Sequence, residues 1–489
     1  MKDRFAERPL SGLTKTAYAV RSLRCKTIGL LFLVLGLSTC REYQVSDDPS
    51  MRLSFSVDTL RFDTVFSEQG SATMQLKVYN RNKQALVIQN VSLVKGAVFK
   101  VNIDGEADLS KLHDLTIYGG DSMQVFVRVT DFGKVGGNDA VLTDDILSFH
   151  LANGANQDVV LEAYAQNAVR IGHVGCQRTE ITTPYTFTAD LPYIIFDTLI
   201  FGDAVTINAG ARLFMHQGAC IVALGDLTAI GTLAQPIIIR GDRLDRLFDS
   251  VPYAYAGGSW NGIYLQAEKP QTYQLEYVDI LSGNVGLSCY SEGTDVLPTL
   301  RMDGCRIHNH TLYGLVLNHI DALVTNTEIS NCASYCVYCD GGKHDFVHTT
   351  VASYFGFTNI RIQSVSKENV AAVYINNLSK KEPTTQTSFY NCIITGYLSE
   401  QLVVATPLEK YYPGEFVGNY IGQDTAKIFV NNYYKYKEYV YYDFRLDSLS
   451  PARGIGDSLV AVPYDTDRNG IKRVGEGIKP DAGCYQYQP

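Results

Sequence analysis

The second half of the chain repeats one short pattern of polar and apolar positions. Cys305-Arg306-Ile307-His308-Asn309, Thr327-Glu328-Ile329-Ser330-Asn331 and Thr349-Thr350-Val351-Ala352-Ser353 each run small or polar, any, β-branched apolar, any, small polar. Ile307, Ile329 and Val351 are spaced by 22 residues and 22 again. Cys392-Ile393-Ile394-Thr395-Gly396 returns 43 residues later, which reads as two periods. Val278-Asp279-Ile280-Leu281-Ser282 stands 27 residues earlier, which reads as one period plus an insertion. A turn of this length cannot bury its own apolar face, so it repeats and buries that face against its neighbours, as a solenoid of stacked strands does. A leucine-rich repeat would need a Leu/Asn framework, which is absent. No long stretch shows a sustained helical period.

Residues 51–168 carry a different pattern. Short alternating segments at 53–57, 73–79, 85–91, 98–103, 122–130, 145–151 and 158–164 are separated by turn signals such as Asp104-Gly105, Gly119-Gly120-Asp121 and Asn153-Gly154. Seven short strands at this spacing predict an Ig-like β-sandwich. Asp58-Thr59-Leu60-Arg61-Phe62-Asp63-Thr64-Val65-Phe66, Lys77-Val78-Tyr79-Asn80 and Leu161-Glu162-Ala163-Tyr164-Ala165-Gln166 resemble the N-terminal sandwich of Bacteroidetes-type surface lipoproteins. That resemblance implies a spacer or adhesion module. Residues 169–190 read as a linker and 191–445 as the solenoid.

Val205-Thr206-Ile207-Asn208-Ala209-Gly210, the run from Ile221 to Thr232 and Pro236-Ile237-Ile238-Ile239 resemble the opening rungs of right-handed parallel β-helix proteins of the pectate-lyase-like superfamily. Ser450-Pro451-Ala452-Arg453-Gly454, Asp465-Thr466-Asp467-Arg468-Asn469-Gly470 and Pro480-Asp481-Ala482-Gly483-Cys484-Tyr485 resemble the closing segment of bacterial extracellular β-helix proteins. That resemblance implies a C-terminal cap over 446–489, folded on the last rung, where it would shield apolar stacks and open strand edges. The fold class expected is therefore all-β: an N-terminal Ig-like β-sandwich followed by a right-handed parallel β-helix with a C-terminal cap.

The N-terminus stands apart. Seven Lys/Arg within residues 1–26 precede an apolar run at 28–37, too short to span a bilayer and suited to a secretory signal peptide over 1–39. Leu37-Ser38-Thr39-Cys40 resembles the lipobox of bacterial lipoproteins, which implies a lipid on Cys40, a tether over 40–50 and lipid anchoring in the outer membrane, facing either the periplasm or the surface. Residues 1–39 carry seven Lys/Arg and two Asp/Glu, so their removal lowers the net charge from −9 to −14. Such an acidic body argues against nucleic-acid partners. Of 11 Cys, nine remain beyond Cys25 and Cys40. Cys332, Cys336 and Cys339 could bind zinc, pair as a disulfide or stay as buried thiols, and the missing second ligand half favours thiols.

Candidate chemistry is sparse. Asp465-x-Asp467-x-Asn469-Gly470, with Glu476 at the twelfth position, matches a calcium loop, but β-like and helix-breaking flanks favour a polar turn. No cofactor is therefore expected, with calcium at this loop as the possible exception. Arg240, Asp242, Arg243 and Asp245 open an insertion that ends at Trp260, the single tryptophan. They could bind a sugar; the structural alternative is an ion-paired loop with Trp260 packed beneath it. His344 with Asp345 could act as a base and His344 with His348 could hold a metal, but one period after His308 falls on Ser330 and a second on Ala352, so no His ladder forms and His308, His310, His319, His344 and His348 read as exposed turn residues. A polyuronate lyase needs a basic residue and acidic cation ligands in a groove, and a hydrolase needs paired carboxylates on adjacent turns. By the repeat register neither is present. The reading that follows is a non-catalytic envelope lipoprotein presenting a β-helix surface to a glycan or an envelope protein; the alternative is a carbohydrate-active lyase or glycoside hydrolase.

Overall fold

The computed structural model describes residues 43–130, 132–248, 251–291, 296–355, 371–378, 385–405, 414–424, 427–432 and 442–489. The signal-like segment 1–39 and Cys40 lie outside them. None of its helices is long and apolar enough to cross a membrane. The described chain is almost wholly strand and divides into two compact units. The smaller takes residues up to Leu60, Thr73–Arg128 and Asp145–Leu161; the larger takes the rest.

The N-terminal strands form a four-stranded and a five-stranded sheet. Met74–Tyr79 and Ser122–Val129 pair antiparallel, as do Leu86–Leu93 and Val141–Leu151. Alternation is clean on Ser122–Val129, where Met123, Val125, Val127 and Val129 are buried and the residues between them are not. Thr59–Phe66 and Leu115–Ile117 are strands beyond the seven expected segments.

The rest of the chain winds as parallel coils, a β-helix. One face is a ten-stranded sheet whose strands lie in chain order from Val169–Ile171 to Tyr420–Gln423. Two further faces join into a sixteen-stranded sheet through the eleven-residue strands Leu315–Thr325 and Val337–Val347. These strands bend at positive-φ positions, His319 (57°) on one and Gly341 and Gly342 (81° and 96°) on the other. A Cβ on Gly342 would lie 2.3 Å from the Ile320 carbonyl oxygen, so the bend excludes any larger residue.

The apolar period is an axial stack. Leu213, Ile239, Ile280, Ile307, Ile329, Val351 and Ile394 are successive register partners, and all are buried. Two left-handed corners bound these strands. Tyr277, Gly304, Asn326, His348 and Asn391 occupy one, and Ser282, Asn309 and Asn331 the other, all at φ between 47° and 68°. Short polar side chains and glycine tolerate that region best, which accounts for the small polar end of the repeated motif.

Three expectations change. Ile394 pairs directly with Val351, so the 43-residue gap is one coil with an insertion, not two periods. The expected linker 169–190 is the start of the β-helix, because Val169–Ile171, Arg178–Ile181 and Tyr185–Phe187 pair in parallel with Tyr193–Ile195, Thr198–Phe201 and Val205–Asn208. The C-terminal segment meets the last coil, where a Cβ on Gly418 would lie 2.8 Å from the Asp457 amide nitrogen, but it also runs lengthwise along the outer face of the ten-stranded sheet over earlier coils. Asn391 and Asp457 exchange two hydrogen bonds (2.9 and 2.7 Å), the Cys484 amide donates to Thr350 Oγ1 (3.0 Å), Tyr485 Oη to Glu328 (2.7 Å) and Arg468 to Asp279 (2.8 Å). Gly483 (φ 92°) makes this approach, since a Cβ there would lie 2.7 Å from Ile393 Cδ1 and Thr350 Oγ1. Ala352, Tyr354 and Ile393 thereby bury against Ala482, Cys484, Phe429 and Phe444 as a second core outside the coils.

Candidate functional site

A cavity of about 430 Å³ opens on the outer face of the ten-stranded sheet. Its floor is read straight from the coil register. Asp279, Arg306, Glu328 and Thr350 are successive partners in one outward column, and Leu281, His308, Ser330 and Ala352 in the next. Side chains alternate along a strand, so the residues on either side of each inward isoleucine share the outer face. Arg306, His308, Glu328 and Leu281 line the cavity.

Three separate segments supply the walls. The insertion after the strand Ile237–Gly241 contributes Ala254 and Tyr255, the strand Asp443–Leu446 and the residue before it contribute Tyr442, Phe444 and Arg445, and the C-terminal segment contributes Asn469 and Tyr485. Tyr255 and Tyr442 stack with centroids 6.2 Å apart, Tyr442 stacks on Phe444 at 5.8 Å, and the His308 ring meets Tyr442 edge-on at 5.4 Å. The result is an aromatic wall over a polar floor.

The polar floor is a connected hydrogen-bonded set. Asp279 takes Arg306 on one carboxylate oxygen (2.7 Å) and Arg468 on the other (2.8 Å). Glu328 accepts from Ser330 Oγ (2.9 Å) and from Tyr485 Oη (2.7 Å). His308 Nδ1 lies 2.8 Å from Ser330 Oγ. Burial, with the Arg306 charge added, pushes the His308 imidazole down to about 3, so it is neutral across the physiological range. Burial, then the Glu328 charge beside it, raises Tyr485 well above the ordinary phenol value and keeps its proton in place. At the rim Arg445 and Asp443 pair at 2.5 Å. Aromatic faces, a neutral imidazole and charge-paired hydrogen-bonding groups equip the cavity to hold a small polar ring compound.

Sequence reading found the insertion but not the residues that reach the cavity. Arg240, Asp242, Arg243 and Asp245 are tied to one another and to neighbours: Arg240 Nη2 donates to the Arg243 carbonyl (2.8 Å), Arg243 Nε to Asp245 (2.6 Å), and Asp242 binds His216 (2.7 Å) and Gln69 (2.8 Å). Trp260 is fully buried among the inward-facing residues, its Nε1 donating to the Leu281 carbonyl (2.9 Å), so it offers no face to a ligand. None of these five lines the cavity, which the same insertion enters through Tyr255.

The calcium-loop residues do not converge. Both Asp467 oxygens accept backbone amides, from Asn469 and Ile471 (2.8 and 2.7 Å) and from Gln486 (2.8 Å); Asp465 is ion-paired with Lys472; Glu476 is exposed. This is the polar turn of the alternative reading. Among the described residues no three or more His, Cys, Asp or Glu gather as metal ligands. Cys332, Cys336 and Cys339 are free, buried thiols inside the coils.

The five histidines are buried, not exposed. Burial pushes His310 and His344 down to about 3, and burial together with Arg473 pushes His348 to about 2. His344 sits in the inward column between Ala322 and Thr387, with Nδ1 2.9 Å from Thr387 Oγ1. The absence of stacked carboxylates is also overturned, since Glu276 and Asp303 are register partners on adjacent coils. They line a second groove of about 330 Å³ with Arg301, Tyr464 and Asp465. Both are already engaged: Asp303 accepts from Thr325 (2.5 Å) and Asn326 (3.0 Å), and Glu276 from Gln274 (2.8 Å).

The signal for the main cavity was present in the repeat. The position before each inward β-branched residue reads Asp279, Arg306, Glu328, Thr350, and the position after it reads Leu281, His308, Ser330, Ala352. Tyr255, Tyr442 and Tyr485 carry no comparable signal, because they lie outside the repeat.

No protein-family model matches the chain, and no curated protein matches it. Among solved structures it is similar to the VesB protease of Vibrio cholerae (16% identity, TM-score 0.17, covering 23% of this chain and 31% of that one). It is also similar to a PapD-like domain of human CEP192 (10%, 0.18, covering 25% and 90%) and to the periplasmic chaperone SfaE (11%, 0.17, covering 29% and 71%). At these scores none of the three carries a fold or functional assignment.

Proposed function

We propose that this chain is a cell-envelope lipoprotein, anchored through Cys40, that binds a glycan in the cavity on its β-helix without transforming it. Within this reading the N-terminal sheets are an Ig-like spacer, and the coils are a right-handed β-helix of the pectate-lyase-like kind. The observation that carries the proposal is the wall of Tyr255, Tyr442 and Phe444 facing Arg306, His308 and Glu328. Flat aromatic faces bury the apolar face of a ring, while fixed polar groups orient its hydroxyls. The test is retention of the full mature chain on a panel of neutral and acidic glycans, with Tyr255→Ala and Tyr442→Ala expected to abolish it. Retention that is unchanged in both variants would place binding elsewhere.

A second reading, a carbohydrate-active enzyme, draws on the contiguous Tyr485, Glu328, Ser330 and His308 set. Against it stands the His308 value of about 3, far below what an efficient base at neutral pH needs. New reducing ends or unsaturated products from any polysaccharide in the panel would favour the enzyme.

A further inference from the structure

The protons in the cavity floor can be placed by counting. Ser330 has one hydroxyl hydrogen, and it is donated to Glu328 Oε1 at 2.9 Å. Ser330 Oγ therefore meets His308 Nδ1, at 2.8 Å, as an acceptor. Nδ1 carries the hydrogen, so in a neutral ring Nε2 is the bare, accepting nitrogen. His308 Nε2 has no hydrogen-bond partner among the described residues, and it is not among their enclosed unsatisfied atoms. The ring lines the cavity, between aromatic side chains. The site thus presents an open acceptor, which water satisfies in the free protein and an O–H or N–H of a ligand can take over.

The charges can be counted in the same way. Arg306 and Arg468 share Asp279, and Glu328 balances the remaining positive charge. Arg445 is balanced by Asp443. Among the described residues the lining therefore sums to zero, and each cation already has a carboxylate partner. A carboxylate or sulfate entering here would meet Glu328 and could use only the guanidinium hydrogens that Asp279 and Asp443 leave open, on arginines whose charge is already paired. An added anion therefore gains little from a cation that is already neutralised and is repelled by Glu328, which disfavours its entry.

We infer that the cavity selects a neutral, hydroxyl-bearing sugar, one hydroxyl of which donates to His308 Nε2, and discriminates against uronate or sulfated sugars. This rests on the saccharide-binding reading above and narrows it to a ligand class. The experiment is titration of the full mature chain with pairs of oligosaccharides that differ only in charge: oligouronides, and the same oligomers after their carboxyls are reduced to primary alcohols, alongside a neutral-glycan panel. The expected result is at least a tenfold preference for neutral members, with a dissociation constant unchanged between 50 and 500 mM NaCl. His308→Phe should lose tenfold or more, and Ser330→Ala, which frees the ring to carry its hydrogen on either nitrogen, should lose a few-fold while leaving the fold intact. Preference for the uronide that weakens with salt would overturn the inference and leave the saccharide reading standing. Failure of every sugar to bind would sink both.

Discussion

Two columns run side by side on the same strands of the ten-stranded sheet, and they obey different rules. The inward column, Ile280, Ile307, Ile329, Val351 and Ile394, keeps one chemistry through every coil because each residue packs on the one below it. The outward column, Asp279, Arg306, Glu328, Thr350 and Ile393, changes chemistry at each step. It is polar where the cavity opens and apolar where the C-terminal segment presses down on Ile393. A solenoid thus fixes its inner face by repetition and leaves its outer face free to vary. What covers the outer face decides whether a position becomes a site or a second core.

The largest effect is expected from acid, which acts on buried histidines beside the outward column and inside the coils. His308, His310, His344 and His348 have folded-state values of about 3, 3, 3 and 2, against about 6.5 unfolded. Below pH 6.5 the unfolded chain binds protons that the folded chain refuses, so stability falls as pH drops toward 3 and is unaffected above 7. Each histidine contributes at most about 1.4 kcal/mol per pH unit, so the four together approach about 5. Urea unfolding at pH 7, 6, 5 and 4 measures the slope, and His308→Gln should remove about a quarter of it. A flat profile would mean the imidazoles are not held neutral.

Mutations in adjacent positions sharpen the contrast. Ile329→Ala, deep in the inward stack, should cost ~2–5 kcal/mol in urea denaturation. Tyr485→Phe, which takes from Glu328 one of its two donors, should cost less, ~1.5–3 kcal/mol, and should loosen the C-terminal segment in hydrogen exchange. Equal costs would show that the outer face is as constrained as the inner. Tyr255→Ala should have the smallest effect on stability, within ~1 kcal/mol for a half-buried loop residue, yet the largest on glycan retention. A destabilised Tyr255→Ala that still binds would reverse the roles assigned here to wall and core.

How much of the site was legible follows from the same contrast. The floor could have been found, since Asp279, Arg306 and Glu328 precede the very isoleucines that revealed the repeat. The small polar end of the motif, Asn309 and Asn331, marks the left-handed corners and not the cavity. Arg240, Asp242, Arg243 and Asp245 looked like a binding cluster because charges close in sequence attract notice, but closeness in sequence let them satisfy one another. His344 looked like a turn residue, yet register carries it inside the coils.

The chain alone determined the coiled architecture, because the β-branched residues Ile307, Ile329 and Val351, 22 positions apart, are buried by stacking similar turns, and that spacing survives in the letters even where insertions lengthen the neighbouring coils. Tertiary structure alone decided the site. Asp279 meets Arg468 across 189 residues and Glu328 meets Tyr485 across 157, while Tyr255 and Tyr442 close the walls from two further segments. No period links such partners, since they belong to insertions and a trailing segment that the repeat does not govern. Only the path of the backbone over the finished sheet brings them together.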